Sequence, residues 1–214
     1  MNQEIYLLPP TVAHQYLVAG QNGYLLIDVG MPNDFAHLKK FLKEHNISLS
    51  QIELVVITHA DGDHFGCLAE IQDNTPSIVA AASTFEAKAI QMGESSRPLK
   101  GKGLRKLMYD LVGPLFRSQP AKIDRILVIG EILPFLGGLE VLDTRGHTPG
   151  HLSLWSESTR TLFAGDSIKI RGKNLLPSSG ANTWDDALAI QAFEMQIALK
   201  PDRIYAGHGV WMRD

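Results

Sequence analysis

The densest group of side chains that could carry chemistry lies at residues 58–64, Thr-His-Ala-Asp-Gly-Asp-His. This segment directly follows an apolar run that ends at Ile57, so it forms the turn after a predicted strand. If its four His and Asp side chains were buried unpaired, each would cost several kcal/mol. A divalent metal ion removes that cost, because it binds neutral imidazole and carboxylate together. The segment therefore predicts a metal site.

The spacing inside this segment divides the side chains between two ions. Residues two apart on an extended turn point the same way, so His59 and Asp61 can share one ion. Asp63 and His64 turn into the helix that follows and suit a neighbouring ion. Three further residues of the same types arrive singly at predicted strand ends, each beside glycine: His147, Asp166 and His208.

The elements that must position these residues are short apolar strands that alternate with helices. Helices are predicted at residues 61–71 and 183–199, and a further helix opens at residues 32–34. Strands are predicted at residues 5–8, 14–19, 24–28, 52–57, 77–82, 131–135, 139–143, 151–156, 161–164 and 203–206. Such hairpins with a helix in each half predict an α/β fold, a four-layer αββα sandwich of two sheets with helices outside.

The order of the motifs resembles the metallo-β-lactamase superfamily. Asp28 after an early strand is followed by HxxxDH, then by GHTPGH, GD and a final GHG. The match runs from about Tyr24 to His208, nearly the whole chain. Each motif is weak alone, but five in this order are specific. The resemblance implies an αββα sandwich with a two-metal site along one edge of its sheets.

The resemblance also implies a role for each candidate residue. His59 and His147 are similar to ligands of the first metal, and Asp166 to the bridge between the two metals. Asp28 is similar to a residue that orients a ligand, and His151 to a residue that packs behind the ligands. The implied ligands of the second metal are Asp63, His64 and His208.

Asp61 departs from the common family pattern, HxHxDH, in which a second His stands at this position. A carboxylate there resembles a minority of the superfamily, including the diiron flavoproteins. Asp61 can bind the metal directly, bind it through water, or leave the first site weaker and less selective for zinc. An oxygen-rich site shifts preference toward iron or manganese. We expect two divalent ions, zinc first, with iron or manganese as alternatives.

The implied chemistry is hydrolysis of a small ester, thioester, lactone or amide. Two ions roughly 3.5–4 Å apart share a water, lower its pKa toward ~7 and present hydroxide to the substrate. Asp63 can orient that water and pass its proton to the leaving group, so it is the predicted catalytic residue. Two alternatives remain: an iron-dependent, dioxygenase-like oxidoreductase on the same fold, and a non-catalytic descendant that binds a ligand.

Composition excludes several other classes of protein. The 214 residues are 44% hydrophobic, which favours a single globular domain over residues 1–214. A net charge of −3 gives no pull toward nucleic acid or anionic membrane, so we expect a small-molecule substrate. The single cysteine, Cys67, excludes an intramolecular disulfide and is expected in the core. No export signal is visible, and we expect a cytoplasmic protein.

A helix-prone stretch at residues 83–123 breaks the alternation of strands and helices. It holds a cluster of cations: Arg97, Lys100, Lys102, Arg105 and Lys106. A solvated helix surface explains such a cluster, and so does an inserted helical cap whose cations hold an anionic substrate. We expect a cap that sets specificity.

The other His, namely His14, His37 and His45, are expected to be ordinary surface or core residues.

Overall fold

The computed structural model describes residues 4–9, 11–97 and 118–213. Within these residues the centre of the molecule is a pair of six-stranded sheets. The strands of the first sheet lie side by side in chain order, β1 to β6. They are Ile5–Leu7, Tyr16–Ala19, Tyr24–Ile27, Ile52–Val56, Ala80–Ala82 and Arg125–Ile126.

The second sheet is built from the later part of the chain. Its strands in chain order, β7 to β10 and then β13 and β14, are Ile132–Leu133, Leu139–Asp143, Leu152–Ser156, Thr161–Gly165, Arg203–Ala206 and Gly209–Met212. They lie in the spatial order β14-β13-β10-β9-β8-β7. The chain segment that connects β10 to β13 forms a separate hairpin of two strands, β11 (Ile168–Arg171) and β12 (Asn174–Pro177).

The described helices cover the outer faces of the two sheets. Four follow strands of the first sheet: α1 (Phe35–Glu44), α2 (Gly62–Phe65), α3 (Leu68–Asn74) and α4 (Thr84–Met92). The fifth, α5 (Asp186–Ala198), packs on the second sheet. None of the helices in these ranges is long and apolar enough to cross a membrane.

The core consists of three apolar layers that follow from strand alternation. Val55 on β4 packs with Leu38 of α1, in the layer between the helices and the first sheet. Its neighbours Leu54 and Val56 point the other way and pack with Leu154, between the two sheets. A third layer joins the second sheet to α5. The predicted αββα sandwich is therefore confirmed.

Several predicted elements differ in their bounds. The helix expected at residues 183–199 begins at Asp186, because the Asp185 carboxylate accepts hydrogen bonds from the backbone of Ala187 and Leu188. The helical segment expected at residues 61–71 is two helices that meet at Gly66 and Cys67.

Four strands of the described chain were absent from the sequence prediction: β6, β11, β12 and β14. Residues 168–177 form the β11–β12 hairpin, and β14 follows the strand expected to be last. Of the expected cap at residues 83–123, residues 98–117 lie outside the described part of the chain. Its described part contains α4 and a segment that leads into β6.

Candidate metal centre

The predicted site residues lie where the strands place them, at one edge of the sandwich. Strand β4 runs parallel to β3 and β5, so the turns that follow β3 and β4 leave the first sheet on the same side. Those turns carry Asp28 and residues 58–64. Strand β10 runs parallel to β13, and these two strands lead into Asp166 and His208. Parallel pairing thus brings together residues that are far apart in the chain.

A first triad forms from His59, Asp61 and His147, whose ligand atoms lie within 4.8 Å of one another. The Asp61 Oδ2 atom lies 3.5 Å from His59 Nε2 and 3.2 Å from His147 Nε2. The three side chains are buried. Asp61 therefore stands in the position that a second His of the common pattern would fill, with its carboxylate turned toward both imidazoles.

A second triad forms from Asp63, His64 and His208. The Asp63 Oδ2 atom lies 3.5 Å from His208 Nε2. His64 is fully buried, whereas the His208 side chain is 47% exposed, so this triad opens to solvent at His208.

Asp166 lies between the two triads. Its Oδ1 atom is 3.4 Å from His64 Nε2, and its Oδ2 atom is 3.4 Å from His208 Nε2. The same Oδ2 atom is 3.6 Å from His147 Nε2, in the first triad. One carboxylate thus contacts both groups, as the bridging role implied by the sequence requires.

The donor set and its spacing fit divalent ions. Two ligand atoms bound at about 2.1 Å to one tetrahedral ion lie about 3.4 Å apart. The contacts between the ring nitrogens and carboxylate oxygens of this centre span 3.2–3.6 Å. Among the described residues, three buried atoms lack any hydrogen-bond partner and face the centre: His59 Nε2, His64 Nε2 and Asp166 Oδ1. Buried polar atoms of this kind are costly unless an ion satisfies them.

Side chains behind the triads fix the orientation of the imidazoles. The Asp28 carboxylate is 2.8 Å from His64 Nδ1 and also accepts from the backbone N–H of Thr58 at 2.8 Å. His147 Nδ1 contacts Ser178 Oγ at 2.9 Å, and the Nδ1 atom of His59 contacts Thr58 Oγ1 at 3.0 Å. Each of these contacts leaves Nε2 facing the centre, which is the arrangement that metal-binding imidazoles require.

His151 supports the centre from behind and is outside the groups that could hold an ion. Its Nε2 atom accepts a hydrogen bond from the backbone N–H of Asp166 at 3.0 Å, and its Nδ1 atom is 2.8 Å from Thr144 Oγ1. Burial lowers the pKa of His151 well below its usual value, and the charge of His59 acts in the same direction. A neutral His151 is the form that can accept from Asp166, so it positions the bridging residue.

The electrostatics of the centre concentrate negative charge on two carboxylates. Burial alone would raise the pKa of Asp61, but the adjacent His147 and His59 imidazoles and the charge of Arg97 hold it well below its usual value. The pKa of Asp166 is also well below its usual value, because the charge of His64 outweighs the effect of burial. Both groups are therefore ionised at neutral pH and available to a cation.

The carboxylates around His64 favour the protonated form of its imidazole. Burial lowers its pKa, but the charges of Asp28 and Asp166 outweigh burial and raise the pKa well above its usual value. The pKa of His208 is raised by its hydrogen bond to Asp166. Protons thus compete with metal for the second triad.

Glu86 is a structural part of the centre that sequence reasoning missed. This buried residue of α4 accepts hydrogen bonds from the backbone N–H of Ala60 at 2.7 Å and of Gly150 at 2.8 Å. It also accepts from Thr148 Oγ1 at 2.8 Å. Glu86 therefore ties the turn that carries the first-sheet ligands to the turn that carries His147. A Glu in a helix-prone stretch gives no sequence sign of such a role.

The cation cluster of the predicted cap contributes at least Arg97 to the centre. Its Nη2 atom lies 2.6 Å from Asp61 Oδ2, and Ser95 Oγ donates to Asp61 Oδ1 at 2.8 Å. The other cations of that cluster lie outside the described residues. Arg97 was noted in the sequence as one member of a basic run, but its pairing with the unusual Asp61 was not foreseen.

The other His and the cysteine lie outside the groups of described residues that could hold an ion. Cys67 is buried in the core, and its thiol donates to the Val29 carbonyl at 2.7 Å. His37 and His45 lie on and just after α1. The backbone N–H of His14 donates to the Gly207 carbonyl at 2.7 Å, next to His208. Burial lowers the pKa of His14, as does the nearby charge of His208.

Comparison with known proteins decides the family. Residues 8–208 match the family model described as the metallo-beta-lactamase superfamily. The chain belongs to the metallo-beta-lactamase superfamily. Its αββα sandwich is this superfamily's fold, and residues 59–64 carry an HxDxDH version of the motif.

Curated relatives agree with this assignment. The chain is 26% identical to the probable metallo-hydrolase YflN of Bacillus subtilis (strain 168), over 97% of this chain and 84% of that protein. It is 25% identical to the thioesterase pkgB of Emericella nidulans, over 91% of this chain and 45% of that protein. Together with the family match, these relatives support a metal-dependent hydrolase in general.

The fold is also that of solved structures. TTHA1623 in a di-iron-bound form superposes with a TM-score of 0.72 at 21% identity, covering 98% of this chain and 94% of that one. At this level of identity the likeness concerns the fold alone.

Proposed function

We propose that this chain is a dinuclear metal-dependent hydrolase, with zinc as the first choice of ion, that acts on a small ester, thioester, lactone or amide. One observation carries the proposal: two triads of ligand type lie side by side, with Asp166 in contact with both at 3.4 and 3.6 Å. This geometry suits two ions that share a ligand. The thioesterase among the relatives supports the inclusion of thioesters.

The division of labour follows from the placement of the residues. Bound divalent ions would lower the pKa of a shared water and polarise the substrate carbonyl. Asp63 lies beside His208 on the open side of the centre, and its side chain is 24% exposed. We assign to the Asp63 carboxylate the tasks of orienting the attacking water and of moving its proton to the leaving group. Asp28, His151 and Glu86 hold the ligands in place.

Metal dependence is the direct test of the proposal. Protein purified without chelators should contain up to two divalent ions per chain. It should hydrolyse members of a panel of nitrophenyl esters, acyl thioesters and lactones, and a chelator should abolish this activity until metal is restored. Protein that contains no metal although His59 and His208 are intact would contradict the proposal.

A pair of single variants separates loss of the centre from a general effect of mutation. His208→Ala removes a member of the second triad and should lower both metal content and hydrolysis. His37→Ala is the matched control, because this exposed His lies on α1, outside the groups that could hold an ion. Equal metal content and equal activity in the two variants would exclude His208 as a ligand.

A second candidate function is an iron-dependent oxidoreductase of the dioxygenase type. It is favoured by Asp61, which places a carboxylate in the first triad, because oxygen ligands shift preference toward iron or manganese. Bound iron together with oxygen consumption, and no hydrolysis of the panel, would replace the first proposal by this one.

We also propose a small molecule, rather than nucleic acid or a membrane, as the partner of this centre. The net charge of −3 supports this, because recognition of phosphate backbones or anionic lipid calls for a basic surface. Binding of a labelled duplex at moderate salt is expected to be undetectable, and tight binding would contradict the assignment.

A further inference from the structure

Arg97 makes two contacts with atoms of the first triad. Its Nη2 atom lies 2.6 Å from Asp61 Oδ2, and its Nη1 atom lies 3.3 Å from His147 Nε2. Nη1 also donates to the backbone carbonyl of Asn182, which holds the guanidinium from the other side. The Arg97 side chain is 20% exposed, so this contact is largely shielded from water.

These are the same two atoms that the first triad offers to an ion. A ring nitrogen that binds a metal has no lone pair left to accept from Arg97. Asp61 Oδ2 could contact both cations, but the guanidinium carries a permanent charge, and a divalent ion beside it is repelled. Arg97 and a first-site metal therefore compete for His147 and Asp61.

The second triad carries no such cation within the described residues. There, Asp63 lies 3.5 Å from His208 Nε2, and Asp166 lies 3.4 Å from the Nε2 atoms of His64 and His208. None of these contacts involves a guanidinium, whose positive charge is permanent. The first triad thus presents a permanent positive charge to an incoming metal ion, and the second triad presents none within the described residues.

We propose that the positive charge of Arg97 weakens metal binding at the first site, so that the two sites differ in affinity. The second site fills first, and the first site fills only when the guanidinium withdraws from His147. Asp61 is essential to this device, because a His at that position would offer Arg97 no carboxylate. Asp61 and Arg97 therefore act together. The Asp that replaces the second His of HxHxDH holds the guanidinium at the first site. The inference rests on the ligand assignment of the proposed function.

A metal titration tests this inference without any substrate. Protein freed of metal by a chelator is titrated with zinc in competition with a chromophoric chelator, which gives two dissociation constants. The wild type should bind in two separated steps. Arg97→Met, which removes the charge and keeps the length, should tighten the weaker step by about tenfold or more and leave the tighter step unchanged.

Three variants provide the controls. Arg97→Lys keeps the charge and should keep the two steps apart. Arg160→Met is the matched control, because Arg160 pairs with Asp202 at 3.1 Å outside the centre, and it should leave both steps unchanged. His208→Ala should remove the tighter step, which assigns that step to the second site.

The inference is overturned if the wild type fills both sites in one step, or if Arg97→Met leaves the weaker step as it was. Should Arg97→Met fail to fold, the wild-type titration compared with His208→Ala decides the order of filling. The readout is independent of activity. A protein that binds two unequal ions and hydrolyses nothing would refute the proposed function and keep this inference.

Discussion

Asp28 shows how a single side chain prepares the centre. Its carboxylate is buried, accepts from Thr58 and contacts His64 Nδ1, while its backbone has a φ of 56°, in the left-handed region. That conformation is uncommon for a residue with a Cβ atom, although Asp tolerates it better than most. The bend turns the chain after β3 and places the carboxylate under the second triad.

Replacement of Asp28 by Asn should weaken the second site. Asn keeps the size but loses the charge that holds the proton on His64 Nδ1, so Nε2 is less firmly presented to the ion. Losses of about 10- to 100-fold in metal affinity are typical for such partners. Asp143→Asn, an exchange at an exposed pair with Arg145, serves as the control in the zinc titration. An affinity equal to wild type would show that Asp28 does not orient His64.

The thiol of Cys67 should be inert in the folded protein. Burial raises the pKa of this thiol, and the charges of Asp34 and Glu70 raise it further, so almost no thiolate exists at pH 7–8. Iodoacetamide should therefore leave the native protein unmodified at that pH and label it fully in denaturant. Mass spectrometry measures both, and rapid labelling of the native protein would contradict the burial described above.

Sequence reasoning placed the candidate ligands best where they are neighbours in the chain, although their roles as ligands stay predictions. The segment at 58–64 pairs His59 with Asp61 and Asp63 with His64 through backbone geometry that the spacing alone predicts. The sequence did not predict the contacts of Glu86 and Arg97, because their partners are distant along the chain. A buried carboxylate and a charge pair depend on tertiary contacts, and neither leaves a pattern in a single sequence.

At the scale of elements, α4 does more than cover the first sheet. It begins at the Ser83 cap, whose hydroxyl accepts from the backbone of Glu86, and it ends at Gly93 with a φ of 71°. Between these ends Glu86 faces inward and joins two turns that belong to different sheets. Helix α4, the described start of the predicted cap, thus helps to hold the turns that carry the candidate ligands.

The exchange Glu86→Gln should lower the free energy of unfolding by about 1–3 kcal/mol. One carboxylate oxygen becomes an amide N–H₂, which cannot accept from Ala60, Thr148 or Gly150, so at least one buried donor loses its partner. Urea unfolding of metal-free protein measures the change. Glu44→Gln, at an exposed helix position, is the control. Equal stability of the two variants would show that the turns are held by other contacts.

Element boundaries show where pattern reasoning stops. The β11–β12 hairpin is missing from the predicted strands, although Ile168 and Ile170 pack beside the second sheet. Helix α5 starts at Asp186 rather than near residue 183 because the Asp185 side chain caps it. Several neighbouring polar residues could cap this helix, and only the folded chain decides which side chain reaches the backbone.

At the scale of the whole molecule, the centre joins the two halves of the sandwich. Residues 59–64 extend from the first sheet, whereas His147, Asp166 and His208 extend from the second. Ions that bind both sets therefore act as cross-links between the sheets. Binding to the folded state alone stabilises it, because the unfolded chain does not hold these ligands together.

Removal of metal should therefore lower the melting temperature. With free metal at 100 times its Kd, binding contributes about 2.7 kcal/mol, which corresponds to roughly 5–10 °C for a chain of this size. Thermal unfolding with and without a chelator measures the difference, and added metal should restore the higher value. An identical melting temperature in both conditions would mean that no ion links the sheets.

The spread of the ligands along the chain has a consequence for biosynthesis. His59 is made early, but His208 follows β13, which must pair with β10 inside the second sheet before His208 reaches Asp166. A ribosome-bound chain that stops short of β13 offers only part of the second triad. Both triads can therefore be complete only after β13 has paired with β10, so the site for the second ion forms with the second sheet and not before it.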